Sequence, residues 1–365
     1  MARYVGLDAH SKNCVYAIQD EQGKWLGEGT IPTTLEGLLR LQAEHALPAG
    51  TAVALESGTM AFFVARRLER LGLDPQVIDA YEVRAKAVRP NQKSDRRDAR
   101  ELCEGLRREL YRTRVHVPPE AIEHLRETLG RRRHFVNVKT MEVNAAKRLL
   151  RAAGLRLLSR SLATESGWQK LLASLDGESS LEALCQAHHA LWRCADEQVA
   201  VLEASLAVQG EPLAPTLKRL QTVPGVGPIV ALTVVAAFSE VTRFPSAKHA
   251  ASYAGLVASS YDSGERVRHG HITRRGSSEL RAMLCEAAHH AARATSPFHP
   301  DFLRLLVHAG YKKAIVATAH QLCRTLYAML RDGTAFDFGK LNLEEGIFKR
   351  IIVTHYRRKK LARPV

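Results

Sequence analysis

The chain has 365 residues, 45% of them hydrophobic, with 53 Lys and Arg against 38 Asp and Glu, a formal net charge of +15. That length suggests two or three domains, and the apolar content excludes general disorder. The longest strongly apolar run, Ile229 to Phe238, is ten residues, well short of the roughly 20 that a membrane span needs. The first hundred residues read as α/β. Arg3–Leu7, Asn13–Gln19 and Trp25–Ile31 are strand-like, and Asp20-Glu21-Gln22-Gly23 has hairpin-turn composition. Leu35–Ala46 has helical apolar spacing; a buried strand at Thr51–Leu55, a helix at Met60–Leu71 and a strand at Gln76–Ala80 follow. Three strands in succession and then alternating helix and strand make a ribonuclease-H-like (RuvC-like) pattern. From Ser94 the spacing predicts helix to about Arg114, ended by Pro118-Pro119.

Beyond Glu120, the residues Ile122, Leu129, Val136, Val143 and Leu150 recur every seven positions, with Leu125 and Ala146 on the same seam and Arg132 and Lys139 interrupting it. This predicts a long helix with a partly polar coiled-coil seam. A second helix, about Leu181–Val208, carries Leu181, Leu184, Leu191, Ala195 and Leu202 on one face. After Gly210 and Pro212, Val223-Pro224-Gly225-Val226-Gly227-Pro228 precedes an Ala-rich helix to Phe238. A helix at Ala247–Ala254, a Gly/Ser-rich stretch at Gly255–Ser278, helices at about Glu279–Arg293 and Lys312–Arg331 and a basic tail complete the chain. The expected division is 1–115, an α/β domain; 116–209, a helical connector; 210–340, a mainly α-helical domain; and 341–365, the tail. The N-terminus carries an acid at position 8 and shows no secretory pattern. The six cysteines are scattered without a C-x-x-C pair, which argues against a disulfide framework or zinc ribbon and fits a reducing cytoplasm.

An excess of positive charge points to a polyanion, most simply nucleic acid. In such a chain the acids in apolar or cationic settings stand out. Asp8 ends one hydrophobic strand and Glu56 another; Asp95 and Asp98 lie three apart on one face of a helix start, inside Lys93-Ser94-Asp95-Arg96-Arg97-Asp98-Ala99-Arg100. Four such carboxylates together would repel one another unless cations bind, and two Mg²⁺ ions would satisfy them and activate a phosphodiester. The other reading is that the aspartates pair with Arg96, Arg97 and Arg100 or favour the helix N-terminus.

Tyr4-Val5-Gly6-Leu7-Asp8, Leu55-Glu56-Ser57-Gly58-Thr59 and the Lys93–Arg100 segment resemble the D–E–D–D signature of the insertion-sequence 110 family of transposases, the bridge-RNA-guided recombinases. Pro224-Gly225-Val226-Gly227, Phe244, Ala251–Leu256, Tyr261-Asp262-Ser263-Gly264, Ile272–Gly276 and Leu280-Arg281 are similar, in order and spacing, to that family's C-terminal transposase domain. The resemblance spans almost the whole chain. One departure is Glu56-Ser57-Gly58, where the family usually has one more residue between acid and glycine. The resemblance implies Mg²⁺ held by Asp8, Glu56, Asp95 and Asp98. It also implies that Ser263 attacks DNA to give a covalent 5′-phosphoserine and a free 3′-OH. It further implies a guide (bridge) RNA that pairs with donor and target DNA, dimers assembling to tetramers with composite sites, and action on the nucleoid in a bacterial cytoplasm.

From its own surroundings Ser263 is a serine beside a glycine, as in many turns, although Arg266, Arg268, His269, His271, Arg274 and Arg275 would neutralise a phosphate there. Pro224–Gly227 reads equally as a phosphate-gripping helix-hairpin-helix turn or a tight interhelical turn. The pairs His188-His189 and His289-His290 read as core or surface histidines rather than zinc ligands. Two rivals remain: a metal-only nuclease or junction resolvase in which water attacks, and a non-catalytic nucleic-acid-binding protein.

Overall fold

The computed structural model describes residues 2–86, 94–156, 161–175, 179–263 and 266–337, with the backbone alone at 179, 260–263 and 266–269. The tail at 341–365, Lys93 and Gly264 lie outside the described residues. The chain forms two compact units, Met1–Pro118 and Pro119–Val365. Among the described residues, no helix is long and apolar enough to cross a membrane.

The first unit is a mixed sheet with helices on both faces. Its elements are β1 (Arg3–Ala9), β2 (Asn13–Asp20), β3 (Trp25–Pro32), α1 (Leu35–Glu44), β4 (Ala52–Glu56), α2 (Ala61–Arg70), β5 (Asp74–Ile78), α3 (Ala80–Lys86) and α4 (Asp95–Arg107). The strand order is β3-β2-β1-β4-β5, with β1, β2 and β3 antiparallel and β4 and β5 parallel to β1. Strand parity divides the core. Val5, Leu7, Val53 and Leu55 face Leu38, Leu41, Val64 and Leu68 of α1 and α2. Ala54 and Ile78 face Leu102 and Leu106 of α4, and Ala17 meets Ala99 and Cys103 of the same helix.

The helix predicted to reach Arg114 stops at Arg107. Glu109 takes a left-handed φ of 51° and Leu110 N–H returns to Gly105 O at 2.9 Å, a tight C-terminal turn. The chain then runs back along β5, with Val115 N–H donating to Val77 O at 2.7 Å and Arg114 bridging Ile78. Polar spacing through Arg107–Arg114 resembled a helix surface, but the backbone bonds go to the sheet.

The second unit is mainly helical. Its elements are α5 (Glu120–Ala152), α6 (Glu165–Ser174), α7 (Ser179–Gly210), α8 (Ala214–Leu220), α9 (Pro228–Phe238), α10 (Ala247–Tyr253), β6 (Ala258–Ser263), β7 (Arg266–Ile272), α11 (Ser278–Ala291), α12 (His299–Ala309) and α13 (Tyr311–Asp332). Helices α5 and α7 pack antiparallel, and the two polar seam positions of α5 find acids on α7. Arg132 Nε donates to Glu203 at 2.8 Å, and Lys139 pairs with Asp196.

The buried stripe of α7 is Cys185, Trp192, Ala195, Val199 and Leu206. Of the residues predicted to line the packed face, Leu184 and Leu191 are exposed. The helix is rotated to bury Trp192 against Trp168 of α6 and to set its acids against Arg132 and Lys139. Loss of the partly exposed Asp196 side chain (Asp196→Ala) is expected to lower stability by about 0.5–1 kcal/mol, an effect that shrinks at high salt. Urea unfolding of single and double Lys139/Asp196 variants measures it.

Helices α8–α13 surround a core containing Phe238, Phe244, Phe298, Leu322 and Tyr327. Helix α9 is buried along Ala231–Phe238. Its C-terminal carbonyls would be left without partners in so apolar a setting. Arg126 satisfies Ala236 O and Ala237 O at 2.7 and 3.1 Å, and Arg243 satisfies Ala237 O and Phe238 O at 3.0 Å each.

Candidate functional site

In the first unit, Asp8, Asp95 and Asp98 come together where β1 ends beneath the start of α4, and Glu56 ends the adjacent strand β4 on the same face. Strand parity sets Gly6 and Asp8 on the face of β1 that carries α4, opposite to Val5 and Leu7. The same parity places Ala54 and Glu56 on that face of β4. The parallel register runs Gly6↔Ala54 and Leu7↔Leu55, so Asp8 and Glu56 are the next residues of adjacent strands, about 4.8 Å apart across the sheet. Ser57 N–H donates to Ile78 O at 2.8 Å, and Ser57 Oγ accepts from Ala80 N–H at 3.0 Å. The serine beside Glu56 thus holds the start of α3.

Helix α4 lies antiparallel to β1. Cys103 Sγ donates to Tyr4 O at 3.1 Å, and Gly6 lies against the backbone of Ala99 and Cys103. Four residues of strand from Tyr4 to Asp8 advance about 13 Å, and eight residues of helix from Cys103 back to Asp95 advance about 12 Å. The first turn of α4 therefore arrives over Asp8. Ser94 caps that turn, accepting from Arg97 N–H at 3.4 Å, and the positive end of the helix favours the two aspartates there.

Asp8, 15% exposed, is the more buried member, and Asp95, 58% exposed, is the open one. Burial raises the Asp8 pKa; the neighbouring His10 lowers it, and the charges of Asp98 and Asp95 raise it further. Its folded pKa thus lies above the unfolded one. Ionised Asp8 opposes folding, and stability falls as pH rises from 3.8 through the folded value. A nearby cation relieves that cost.

His10, absent from the residues singled out in the sequence, stands between two of the acids. Its Nε2 is 3.1 Å from Asp8 Oδ2 and 3.5 Å from Asp95 Oδ2. Asp8, His10 and Asp95 each offer a ligand atom within 4.8 Å of the others. The available signal was the Asp-x-His spacing, which puts both side chains on one side of an extended chain.

In the second unit, Ser263 ends β6 and its backbone pairs with Arg266 at the start of β7. The Gly/Ser-rich stretch thus contains a β-hairpin. A register shift opposite Ala258–Ser260 puts one extra residue into β7 beside Gly270. The hairpin's two entry segments are tied together. Thr273 N–H donates to Val257 O at 2.9 Å and Ser277 N–H to Tyr253 O at 3.0 Å, while Arg281 Nη1 reaches Ala254 O and Arg274 O at 3.2 Å each. Arg274 holds a left-handed φ of 54° within this tie.

The Pro224–Gly227 turn ends at Gly227, the exposed N-cap of α9. His188 pairs with Glu142 at 2.6 Å and His189 with Glu165 at 2.9 Å. Neither forms a metal-ligand set with the cysteines among the described residues.

Comparison with known proteins places both units in one group. Residues 217–303 match the family model described as transposase of the IS116/IS110/IS902 family, and residues 5–154 match the transposase model of the IS110 DEDD type. The chain is 28% identical over 306 residues to a probable family 20 transposase of Pseudomonas aeruginosa, covering 78% of this chain and 85% of that one. It is 26% identical over 270 residues to the transposase for insertion sequence element IS1111A of Coxiella burnetii, covering 71% and 72%. It is 31% identical over 121 residues to a pilin gene-inverting protein of Moraxella bovis, covering 32% and 38%. With family models on both units and relatives along most of its length, the chain belongs to the IS110/IS116 family of transposases and is a DNA transposase or recombinase.

Proposed function

We propose that this transposase cuts and exchanges DNA strands through a covalent 5′-phosphoserine at Ser263, assisted by a divalent ion at Asp8, Glu56, Asp95 and Asp98. The observation that carries this reading is the convergence of Asp8, Asp95 and Asp98 where β1 meets the start of α4, with Glu56 on the adjacent strand and the same face. The donor set fits a hard divalent ion such as Mg²⁺, because carboxylate oxygens predominate and Asp8 is a partly buried acid whose ionisation is favoured by counter-charge. When bound, such an ion supplies Lewis-acid activation of a phosphodiester and neutralises charge gathered in the transition state.

The strand order of the first unit, β3-β2-β1-β4-β5, supports a ribonuclease-H-like (RuvC-like) assignment. In the proposed reaction, Ser263 Oγ loses its proton and attacks phosphorus. The Oγ–P bond forms, the P–O3′ bond breaks, and the 3′-oxygen leaves as a hydroxyl after taking a proton. One phosphoester replaces another, so religation needs no external energy. Guidance by a bridge RNA, a dimer-to-tetramer assembly and action on cytoplasmic DNA belong to this reading through the family resemblance. The basic chain suits them: Arg84–Arg114 holds eleven Lys or Arg against five acids.

Denaturing electrophoresis of the protein with labelled DNA and guide RNA tests the serine. The wild-type chain is expected to form a protein–DNA adduct and Ser263→Ala none. An adduct that persists in Ser263→Ala overturns the assignment. Cleavage without any adduct, abolished by Asp95→Asn, would instead identify a metal-only nuclease.

A further inference from the structure

The D–E–D–D reading leaves His10 without a task, although its Nε2 lies 3.1 and 3.5 Å from carboxylate oxygens of two of the four acids. Its position is fixed by the fold. His10 follows β1 at the mouth of the β1–β2 hairpin, where its N–H donates to Asn13 O at 3.0 Å. Its carbonyl accepts from Thr33 Oγ1 at 2.7 Å, and Thr33 N–H donates to Lys12 O at 2.9 Å, so the far end of β3 holds the loop as well. The imidazole is thus presented to Asp8 and Asp95 by a backbone tied at three points.

The spacing is that of ligands sharing an ion. Two ligands at right angles, each about 2.1 Å from a small divalent cation, lie about 3.0 Å apart. The separations of His10 Nε2 from Asp8 Oδ2 and Asp95 Oδ2 are 3.1 and 3.5 Å. Resting on the metal reading above, we propose that His10 Nε2 is itself a ligand of the divalent ion, together with Asp8 and Asp95, and that this nitrogen makes the site favour Mn²⁺ over Mg²⁺. Imidazole is a borderline donor that adds to the affinity of first-row transition ions, least for Mn²⁺ but still more than for Mg²⁺, which binds oxygen and keeps its waters.

The rival role for His10 is a protonated counter-ion, holding the carboxylates together without a metal. The two roles act oppositely on metal affinity, because a ligand strengthens binding and a resident cation competes with it.

The test is Mn²⁺ titration of the full chain followed by electron paramagnetic resonance, in wild type, His10→Gln and Asp8→Asn. Wild type is expected to show nitrogen modulation in the pulsed spectrum, which changes on ¹⁵N-histidine labelling, a result that needs no variant to fold. His10→Gln is expected to lose that modulation and to bind Mn²⁺ about tenfold more weakly or worse. Its Mg²⁺ affinity, measured by competition, is expected to stay within about threefold of wild type. Unchanged or tighter Mn²⁺ binding in His10→Gln, or modulation that survives the substitution, overturns the proposal in favour of the counter-ion. Mn²⁺ binding to wild type that Asp8→Asn leaves intact would overturn the carboxylate metal site itself, a distinct failure visible in the same titration.

Discussion

Gly6→Ala is expected to lower the stability of the first unit by about 3 kcal/mol or more and to reduce strand cleavage by about a hundredfold. The reason is contact rather than turn geometry. A Cβ at Gly6 would sit well inside 3.0 Å of Ala99 O and Cys103 N and at 2.9 Å from Cys103 Cα, all backbone atoms of α4. No side-chain rotation relieves such an overlap, so α4 must lift from β1. That helix carries Asp95 and Asp98 in its first turn, eight and five residues before Cys103. Lifting it parts them from Asp8, and an ångström of misplacement in a catalytic constellation costs about two orders of magnitude in rate. Thermal unfolding and cleavage rate, measured on one preparation, check both effects. A Gly6→Ala protein of wild-type stability would mean that α4 does not rest on β1 at this point. A destabilised protein with normal cleavage would mean that the carboxylates of α4 take no part.

The order of the elements along the sheet unit was legible because its strands are marked by short apolar runs that end at Asp8 and Glu56; that both acids share the face of α4 follows from the packing of Gly6 and Ala54 on that helix. Three features were not legible, each for a physical reason. His10 lies in a hairpin mouth, where a histidine has no pattern of its own; its meaning comes from α4 arriving overhead, a contact across 85 residues of chain between His10 and Asp95. The packed face of α7 was assigned by its leucines, yet the helix turns toward Trp192 and toward the acids that answer Arg132 and Lys139. A seam interrupted by charge can be placed only when its partner helix is known. The sequence of β6 and β7 lacks the period-two alternation of hydrophobicity that usually marks a strand. What defines that hairpin is the tie at its base, made by backbone groups and Arg281.

In the second unit, Gly276→Ala is expected to have the largest effect, because Gly276 closes that tie. Its φ is 91°, and a Cβ there would overlap Tyr253 O and C. Both objections are to backbone, so the Thr273–Ser277 segment must move away from Tyr253–Val257. The bond from Ser277 N–H to Tyr253 O and the two bonds of Arg281 would be lost or stretched. The strain is worth about 2–3 kcal/mol. The effect on chemistry should be larger, because both strands of the hairpin that ends at Ser263 leave from this point. A hairpin six residues long is a lever, and a small rotation at its base moves its tip by several times as much. Formation of the phosphoserine adduct is therefore expected to slow by about a hundredfold. Gly227→Ala supplies the contrast. Gly227 has φ −88° and nothing within 4 Å of a Cβ position, so it should cost less than about 1 kcal/mol. Its adduct rate reports only what the α9 N-terminus contributes to DNA. Arg281→Lys, which retains a donor for the two carbonyls, is expected to fall between wild type and Gly276→Ala. Adduct formation at the wild-type rate in Gly276→Ala, with the protein folded, would show that the tie does not position Ser263.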